Sequence, residues 1–278
     1  MSFFEAIVLG IVQGLTEFLP ISSSGHLLIV PAIMGWKDPG SAFTAVIQLG
    51  TMAAVVIYFR EDIWRILRSF LKGLVGRATE QEQPDVRMGW YLALGTAPIV
   101  IFGVIFKGQI ESGARNLYLV GTMLIVFGLV LAAADMFAKH VRDLDDIKRP
   151  DAVIIGLAQS LALIPGVSRS GATITFGLFR DFKRKDAARF SFLLSVPAVV
   201  LSGLYELKDA VGKSTGASAP ALIVSTLVAF VVGYWSIAFL LDWLGKHTMR
   251  IFVVYRLVLG VLVIALTAGG LISHIPAA

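Results

Sequence analysis

The sequence has no cysteine and little charge for its length. Cysteine is absent from all 278 residues, so disulfide bonds and cysteine-ligated metal centres are excluded. Only 15% of the residues are charged whereas 56% are hydrophobic, which is too little charge to cover a water-soluble domain of this size. The composition indicates a single integral membrane domain over residues 1–278, with no room for a large second domain.

Several motifs of soluble enzymes are also missing. The chain contains no HExxH, Walker A or GxSxG pattern, which argues against zinc protease, nucleoside triphosphatase and α/β-hydrolase chemistry. The net charge of +5 does not point to nucleic acid, because basic loops on the cytoplasmic side of a membrane explain it more simply. We therefore expect a membrane as the partner, and no nucleic acid.

Long apolar segments account for most of the chain. Two regions, 3–35 and 151–180, are apolar but interrupted near the middle by Pro, Ser and Gly. Because such backbone is tolerated at membrane depth only inside protein or beside a water-filled cavity, we interpret both as re-entrant helical hairpins. The predicted fold is an all-α polytopic membrane protein with these two hairpins and six transmembrane helices. Each helix is long enough to cross a hydrocarbon core of about 30 Å, and they are predicted at 42–59, 88–106, 117–138, 188–205, 220–241 and 251–272.

Basic residues are concentrated in alternate loops. Of the 24 Lys and Arg residues, 17 lie in the segments 60–87, 139–150, 180–189 and 242–250. Only five lie in the opposite set, which comprises 1–41, 107–116, 206–219 and 273–278. By the positive-inside rule, this asymmetry places both termini on the outer side of the membrane.

A shift of 146 residues aligns the two interrupted regions. Each region is followed by three predicted spans, and an odd number of spans per copy inverts the second copy relative to the first. Inverted copies whose broken helices meet near the midplane are the architecture of many transporters. We therefore predict an inverted-topology internal repeat, with copies over about 1–138 and about 151–272. The residues that coincide are Gly10, Gln13, Leu15, Ser22, Ser24 and Gly25 with Gly156, Gln159, Leu161, Ser168, Ser170 and Gly171.

The first interrupted region contains the run QGLTEFLPISSSGH. Gln13 and Glu17 are four apart and share one helix face, and Pro20 ends that helix. The serines at 22–24 can cap a second helix with His26 in its first turn, and such an N-terminus favours anions, phosphate included. The structural alternative is a capped turn with Glu17 facing water. An ionisable group in apolar sequence is nevertheless a functional candidate by default.

The second interrupted region contains the run PGVSRSGATIT. Pro165 and Gly166 break one helix, and Ser168 can cap the next. Arg169 lies in apolar surroundings, and its planar guanidinium suits phosphate oxygens; the alternative is an ion pair with Glu17 that only neutralises two buried charges. Together the two runs hold the groups that phosphoryl transfer requires, and Glu17 could also hold a divalent cation such as Mg²⁺ with phosphate oxygens of a substrate.

Both runs resemble the signatures of the undecaprenyl-diphosphatase family, also called the bacitracin resistance protein family. The resemblance extends over essentially the whole chain. It implies hydrolysis of undecaprenyl diphosphate to the monophosphate and phosphate at the outer face of the bacterial cytoplasmic (inner) membrane. This reaction recycles the lipid carrier of peptidoglycan synthesis and confers resistance to bacitracin. The resemblance also implies a divalent cation, Mg²⁺ or Ca²⁺, as cofactor and a polyprenyl diphosphate lipid as substrate.

The resemblance further implies a set of site residues. Gln13 stands where some members carry Glu, so we do not expect it to be an indispensable base. The nucleophile stays open among Ser23, His26 and water. The implied catalytic residues are Glu17, Ser23, His26 and Arg169, with Glu17 also as metal ligand, and the implied substrate-binding residues are Gln13, Ser22, Ser168, Ser170 and Thr173.

A transporter or flippase of an anionic polyprenyl phosphate lipid is the alternative function. It would use the same inverted repeat, with Arg169 binding phosphate and Glu17 carrying a proton. Nucleophile candidates beside the arginine favour an enzyme. The oligomeric state stays open, and a homodimer is compatible with the sequence.

Two groups of basic residues outside the motifs receive a structural interpretation. Arg256, in the last predicted span, is expected to snorkel to the interface or to pair with a carboxylate such as Asp135 or Glu206. The second group is expected to set topology and to contact anionic headgroups; it consists of Arg180, Lys183, Arg184 and Lys185.

Overall fold

The computed structural model describes residues 1–106, 108, 116–210 and 217–275. Regular structure in these ranges is helical, and one isolated bridge joins Arg142 to Phe182. The predicted outer loops 107–116 and 206–219 lie partly outside the described residues. The helices are α1 (Phe3–Phe18), α2 (Ser23–Met34), α3 (Gly40–Tyr58), α4 (Arg60–Leu74), α5 (Gln83–Ile105), α6 (Leu117–Phe137), α7 (Arg149–Ser160), α8 (Arg169–Phe179), α9 (Arg184–Ala210), α10 (Ala219–Leu244) and α11 (Arg250–Ala268).

Five helices of the described part are long and apolar enough to cross a membrane, namely α3, α5, α6, α10 and α11. The one remaining predicted span, 188–205, lies inside α9, which has 27 residues. At 1.5 Å per residue this helix is about 40 Å long, although the side chains at 202 and 204–210 are outside the described part. The chain is therefore an all-helical polytopic membrane protein.

Both interrupted regions are pairs of short helices, as the sequence predicts. Region 3–35 forms α1 and α2, and region 151–180 forms α7, a single 3-10 turn and α8. With 12 and 11 residues, α2 and α8 are each less than about 20 Å long and cannot cross a core of about 30 Å alone. The two helix breaks, residues 19–22 between α1 and α2 and residues 161–168 between α7 and α8, consequently lie inside the helical bundle.

Close helix contacts hold these breaks in place. Helix α1 packs against α10, and α6 packs against α11. A Cβ on Gly10 would lie 2.5 Å from the Ser225 carbonyl oxygen, and a Cβ on Gly260 would lie 2.7 Å from that of Gly121. Small residues of this kind let backbones approach closely, which is how helices associate in membranes without a hydrophobic driving force between them.

Ion pairs fasten the loops of the basic side. Asp151, which is fully buried, accepts hydrogen bonds from Arg142 at 2.6 Å and from Arg180 at 2.7 Å. Lys183 and Arg184 also donate to carboxylates, at 2.6 Å and 2.5 Å. Three of the four basic residues that were expected to contact headgroups are thus tied to carboxylates of the protein itself.

Candidate active site

The first break places Ser23 at the start of a helix. Helix α1 ends at Phe18 because Leu19, which precedes Pro20, is extended. Ser22 then takes φ 78° and caps α2, and its Oγ accepts a hydrogen bond from the Gly25 N–H at 3.3 Å. The prediction that the serines cap a helix with His26 in its first turn is confirmed.

The second break repeats this geometry. Ser168 takes φ 74°, and its Oγ accepts from the Gly171 N–H at 3.0 Å, so that α8 begins at Arg169. A positive φ in a residue other than glycine costs about 1–3 kcal/mol and persists only where the surrounding structure enforces it. Both breaks therefore hold a strained serine, and such strain is concentrated at functional sites.

The shift of 146 residues relates the two breaks position by position. The shift aligns Ser22 with Ser168, and these two residues are the strained caps. It also aligns Ser23 with Arg169, which are the first residues of α2 and α8, respectively. The hydroxyl of one break and the guanidinium of the other therefore occupy corresponding positions.

The Glu17 carboxylate joins these two groups. Its Oε1 accepts a hydrogen bond from Arg169 Nη2 at 3.0 Å, and its Oε2 accepts from Ser23 Oγ at 2.7 Å. Gln13, one turn earlier on α1, donates its Nε2 to Oε2 at 3.2 Å. The Glu17 and Arg169 side chains are only 10% and 11% exposed. The structure thus brings together four of the predicted site residues from both breaks.

The Arg169 guanidinium has a further donor in this cluster, Nη1. Arg169 Nη1 is buried and makes no hydrogen bond to the described part of the protein. Leaving a buried donor unpaired is costly, so such groups in native structures call for an explanation, and a missing ligand is one. An oxygen of a bound phosphate would satisfy Nη1, while Nη2 stays on Glu17.

His26 is directed elsewhere. Its Nδ1 lies 2.7 Å from the Ser22 carbonyl oxygen and its Nε2 lies 2.6 Å from the Tyr255 hydroxyl oxygen. A carbonyl only accepts, so Nδ1 carries the proton and Nε2 of the neutral ring accepts from Tyr255. The two rings are stacked, with 8° between their planes. His26 therefore braces the first break, with both ring nitrogens engaged.

The remaining predicted hydroxyls also hydrogen-bond within the scaffold. Ser170 Oγ donates to the Leu19 carbonyl at 3.1 Å and so links the second break to the first. Thr173 Oγ1 lies 2.6 Å from Ser191 Oγ, which fastens α8 to α9. Ser170 and Thr173 are fully buried, whereas Ser23 is partly exposed.

Arg256 is the residue whose position the sequence prediction missed. It neither snorkels nor pairs with Asp135, which instead accepts hydrogen bonds from Arg184 and from the Met249 N–H. The side chain of Glu206, the other suggested partner, lies outside the described residues. Arg256 is fully buried. It donates five hydrogen bonds to backbone carbonyls, those of Pro20, Met123, Leu124, Gly166 and Val167.

These acceptors come from both breaks and from α6. Pro20 belongs to the first break, and Gly166 and Val167 belong to the second. The carbonyl oxygens take the place of water around the guanidinium, which is the condition for burying an arginine. Arg256 consequently joins the two breaks through their backbone carbonyls, as a second link besides the Glu17–Arg169 ion pair.

The oxygen atoms around Glu17 could hold a hard cation such as Mg²⁺ only if a bound substrate supplied further ligands. In the described ranges, no three His, Asp or Glu side chains gather closely enough to hold a metal ion. Glu17 offers a carboxylate, and the Ser23 hydroxyl oxygen lies 2.7 Å from it. Mg²⁺ commonly binds one or two carboxylates and takes its other ligands from substrate phosphates and water. The cluster fits that pattern.

Comparison with known proteins identifies relatives of nearly the same length. The family model described as bacitracin resistance protein BacA matches residues 6–262. A protein of Mycolicibacterium smegmatis is 55% identical over 276 residues, which is 98% of this chain and 99% of the relative. Relatives from Prosthecochloris aestuarii and Thermobifida fusca are each 51% identical, and the matches cover 97% and 98% of this chain and 99% and 93% of the relatives. All three carry the name undecaprenyl-diphosphatase.

Proposed function

The chain belongs to the bacitracin resistance protein BacA family, and from this premise we propose that it hydrolyses undecaprenyl diphosphate to undecaprenyl phosphate and inorganic phosphate. The reaction recycles the lipid carrier of cell-wall synthesis. One observation carries the assignment to this site. The Glu17 carboxylate accepts hydrogen bonds from the Ser23 hydroxyl and the Arg169 guanidinium at once, while the buried Arg169 Nη1 has no hydrogen-bond partner in the described part of the chain.

Ser23 is the nucleophile in this proposal. Arg169 Nη1 and the free N–H groups at the starts of α2 and α8 bind the terminal phosphoryl group. Glu17 takes the proton of Ser23 Oγ as this oxygen attacks the terminal phosphorus. The bond from that phosphorus to the bridging oxygen breaks, and undecaprenyl phosphate leaves with the bridging oxygen and the proton from Glu17. A phosphoserine remains.

Water completes the reaction. Glu17 takes a proton from a water molecule, which attacks the phosphoserine phosphorus. The bond between phosphorus and Ser23 Oγ breaks, Glu17 returns the proton to Oγ, and phosphate departs. Ser23 is favoured over His26 as nucleophile because its hydroxyl already donates to a carboxylate at 2.7 Å, whereas both ring nitrogens of His26 are engaged by Ser22 and Tyr255.

A divalent cation, Mg²⁺ or Ca²⁺, belongs to the proposal as cofactor. Glu17 and the diphosphate oxygens would hold it, and it would supply positive charge against the charge that develops on the phosphoryl oxygens. Gln13 orients Glu17 through its amide at 3.2 Å. Ser22, Ser168, Ser170 and Thr173 support the substrate site by fixing the two breaks that present Ser23 and Arg169.

The topology proposed for this function has six spans and two re-entrant hairpins in an inverted repeat. The similar geometry of the two breaks and the shortness of α2 and α8 support this arrangement. The distribution of basic residues supports outer termini in the bacterial cytoplasmic membrane. The diphosphate then enters from the outer leaflet, with its prenyl tail left among the helices.

Phosphate release from protein in detergent tests the enzyme assignment, because no sidedness or membrane potential remains to drive transport. We expect release by the unaltered protein, its loss with a chelator, and its recovery when Mg²⁺ or Ca²⁺ is added back. Substrate that stays intact under all these conditions would leave transport as the better explanation.

Covalent trapping tests the nucleophile. Brief reaction with substrate labelled in the terminal phosphate, followed by a quench in denaturing detergent at neutral pH that preserves both phosphohistidine and phosphoserine, and then by peptide mapping, should give a phosphoserine at Ser23. Ser23→Ala should lose both label and turnover, whereas Ser24→Ala, a matched change of an exposed neighbouring hydroxyl, should keep both. Label on His26, or turnover without any adduct in the Ser23→Ala protein, would contradict the proposed role.

A further inference from the structure

Helix α4 is an amphipathic helix between two membrane spans. It begins at Arg60, directly after the end of α3, and the connection 75–82, which ends in a 3-10 turn at Glu80–Glu82, leads into the α5 span. One face packs on the bundle, with Ile66 and Ser69 buried. Phe70 packs edge-on against Trp90 of α5, with 5.2 Å between ring centroids. Helix α4 therefore lies at the end of the α3 and α5 spans, where protein meets a membrane surface.

A second face of α4 is apolar and exposed. Trp64, Leu67, Leu71 and Leu74 are 67%, 44%, 53% and 53% exposed. Their spacing of three, four and three residues places them in one stripe along the helix. Lone exposed apolar residues are ordinary, but a continuous stripe that ends in an indole marks an interaction surface.

Uncompensated positive charge lies beside this stripe. Three basic residues of the region, Arg60, Arg65 and Lys72, pair with carboxylates of the protein. Arg68, on the edge of the stripe, and Arg77, just beyond the helix, are exposed and have no acidic partner among the described residues. Two cations therefore remain to neutralise anionic groups of a ligand.

We propose that α4 lies in the headgroup layer of the bilayer, with the Trp64–Leu74 stripe in the acyl boundary and with Arg68 and Arg77 bound to anionic phospholipid. Amphipathic helices with an indole on the apolar face and arginine on the polar edge bind such interfaces, and the connection of α4 to two spans holds it there. In the proposed topology this is the cytoplasmic leaflet. A partner protein covering the stripe is the competing occupant.

The absence of cysteine makes the depth of α4 measurable. Leu71→Cys on the stripe and Gln81→Cys in the following exposed turn would each carry a nitroxide label, in full-length protein reconstituted into phosphatidylcholine–phosphatidylglycerol vesicles. We expect oxygen, which partitions into the bilayer, to relax the label at position 71 more strongly than the water-soluble nickel chelate does. For the label at position 81 we expect stronger relaxation by the nickel chelate than by oxygen. Equal exposure of both labels to nickel would overturn the proposal and leave the stripe free for a partner protein.

Lipid charge is tested with a fluorophore on Leu71→Cys and with bromine on only one lipid class at a time. Brominated phosphatidylglycerol should quench more strongly than brominated phosphatidylcholine in bilayers of the same composition. Arg68→Gln should reduce this preference about fivefold, since one basic residue near an anionic surface contributes about 1 kcal/mol. Arg250→Gln, an equivalent change of an exposed arginine at the start of α11, should leave it unchanged. Equal quenching by both lipids, or no effect of Arg68→Gln, would refute the anionic contact.

Discussion

The ion pair between Glu17 and Arg169 can be tested with a double-mutant cycle. At 3.0 Å and an effective dielectric constant of about 20, the two charges attract each other by about 5 kcal/mol. Both side chains are nearly buried, so removing one charge strands the other away from water. Glu17→Gln and Arg169→Gln should therefore each lower the free energy of unfolding by about 3–5 kcal/mol.

The double variant separates this mechanism from general damage to the site. Two neutral amides at the same positions leave no stranded charge, so the double variant should lie within about 2 kcal/mol of the unaltered protein. The coupling free energy is then at least about 4 kcal/mol, which exceeds the usual range of about 0.5–3 kcal/mol for contacting residues. All three variants should be inactive in phosphate release, since each lacks the base or the phosphate ligand.

Unfolding by a denaturing detergent, followed by far-ultraviolet circular dichroism, measures these free energies. Asp242 and Lys246 provide a matched control pair, because they lie 3.0 Å apart but are 73% and 66% exposed. Their cycle should give a coupling of less than about 1 kcal/mol. If the losses at Glu17 and Arg169 are additive, the charges do not depend on each other, and the convergence of the two breaks on one carboxylate is refuted.

Three further substitutions test other polar contacts of the protein, two beside the site and one in the basic loops. Tyr255→Phe removes the donor to His26 Nε2, a bond of about 1 kcal/mol, and should lower the rate of phosphate release about five- to tenfold while unfolding stays near normal; an unchanged rate would separate Tyr255 from the reaction. Gly171→Ala would place a Cβ 3.0 Å from Arg256 Nη1 and should lower the free energy of unfolding in detergent by about 1–3 kcal/mol. An unchanged free energy of unfolding would mean that the guanidinium shifts freely. Asp151→Asn leaves Arg142 and Arg180 without a counter-charge and should lower the free energy of unfolding by about 2–3 kcal/mol. The loss is smaller than for a fully buried pair because both arginines retain solvent contact. An unchanged midpoint in a thermal melt would contradict this prediction.

Much of the site could be predicted from the sequence because its rules are local. Pro20 and Gly166 mark the breaks, and Ser22 and Ser168 occupy the cap positions that short polar side chains favour. The shift of 146 residues then indicates that both breaks belong to one site. Contact between Glu17 and Arg169 follows from these signals without knowledge of the helix packing.

The contacts that were missed are long-range ones. Arg256 binds backbone carbonyls, which every residue possesses, so no sequence pattern identifies its partners. The available signal was the arginine itself, fully charged in the middle of an apolar span. Tyr255 and His26 are 229 positions apart, and nothing local links them.

The ends of the membrane helices were also predicted only approximately. Helix α5 begins at Gln83 rather than at residue 88, because hydropathy registers only the stretch at hydrocarbon depth whereas the helix continues through Asp85 and Arg87. The segment before it was interpreted only as a basic loop. The spacing of Trp64, Leu67 and Leu71 would have indicated an amphipathic helix there.

The correspondence between Ser23 and Arg169 limits how such a site could be assembled. Two identical chains around a twofold axis would present either two hydroxyls or two guanidiniums at these positions, and neither pair offers both an attacking oxygen and an anion ligand. Joining the halves in one polypeptide lets each loop change without its counterpart. A symmetric homodimer of either half could therefore not place an attacking hydroxyl in one loop and a phosphate-binding guanidinium in the other.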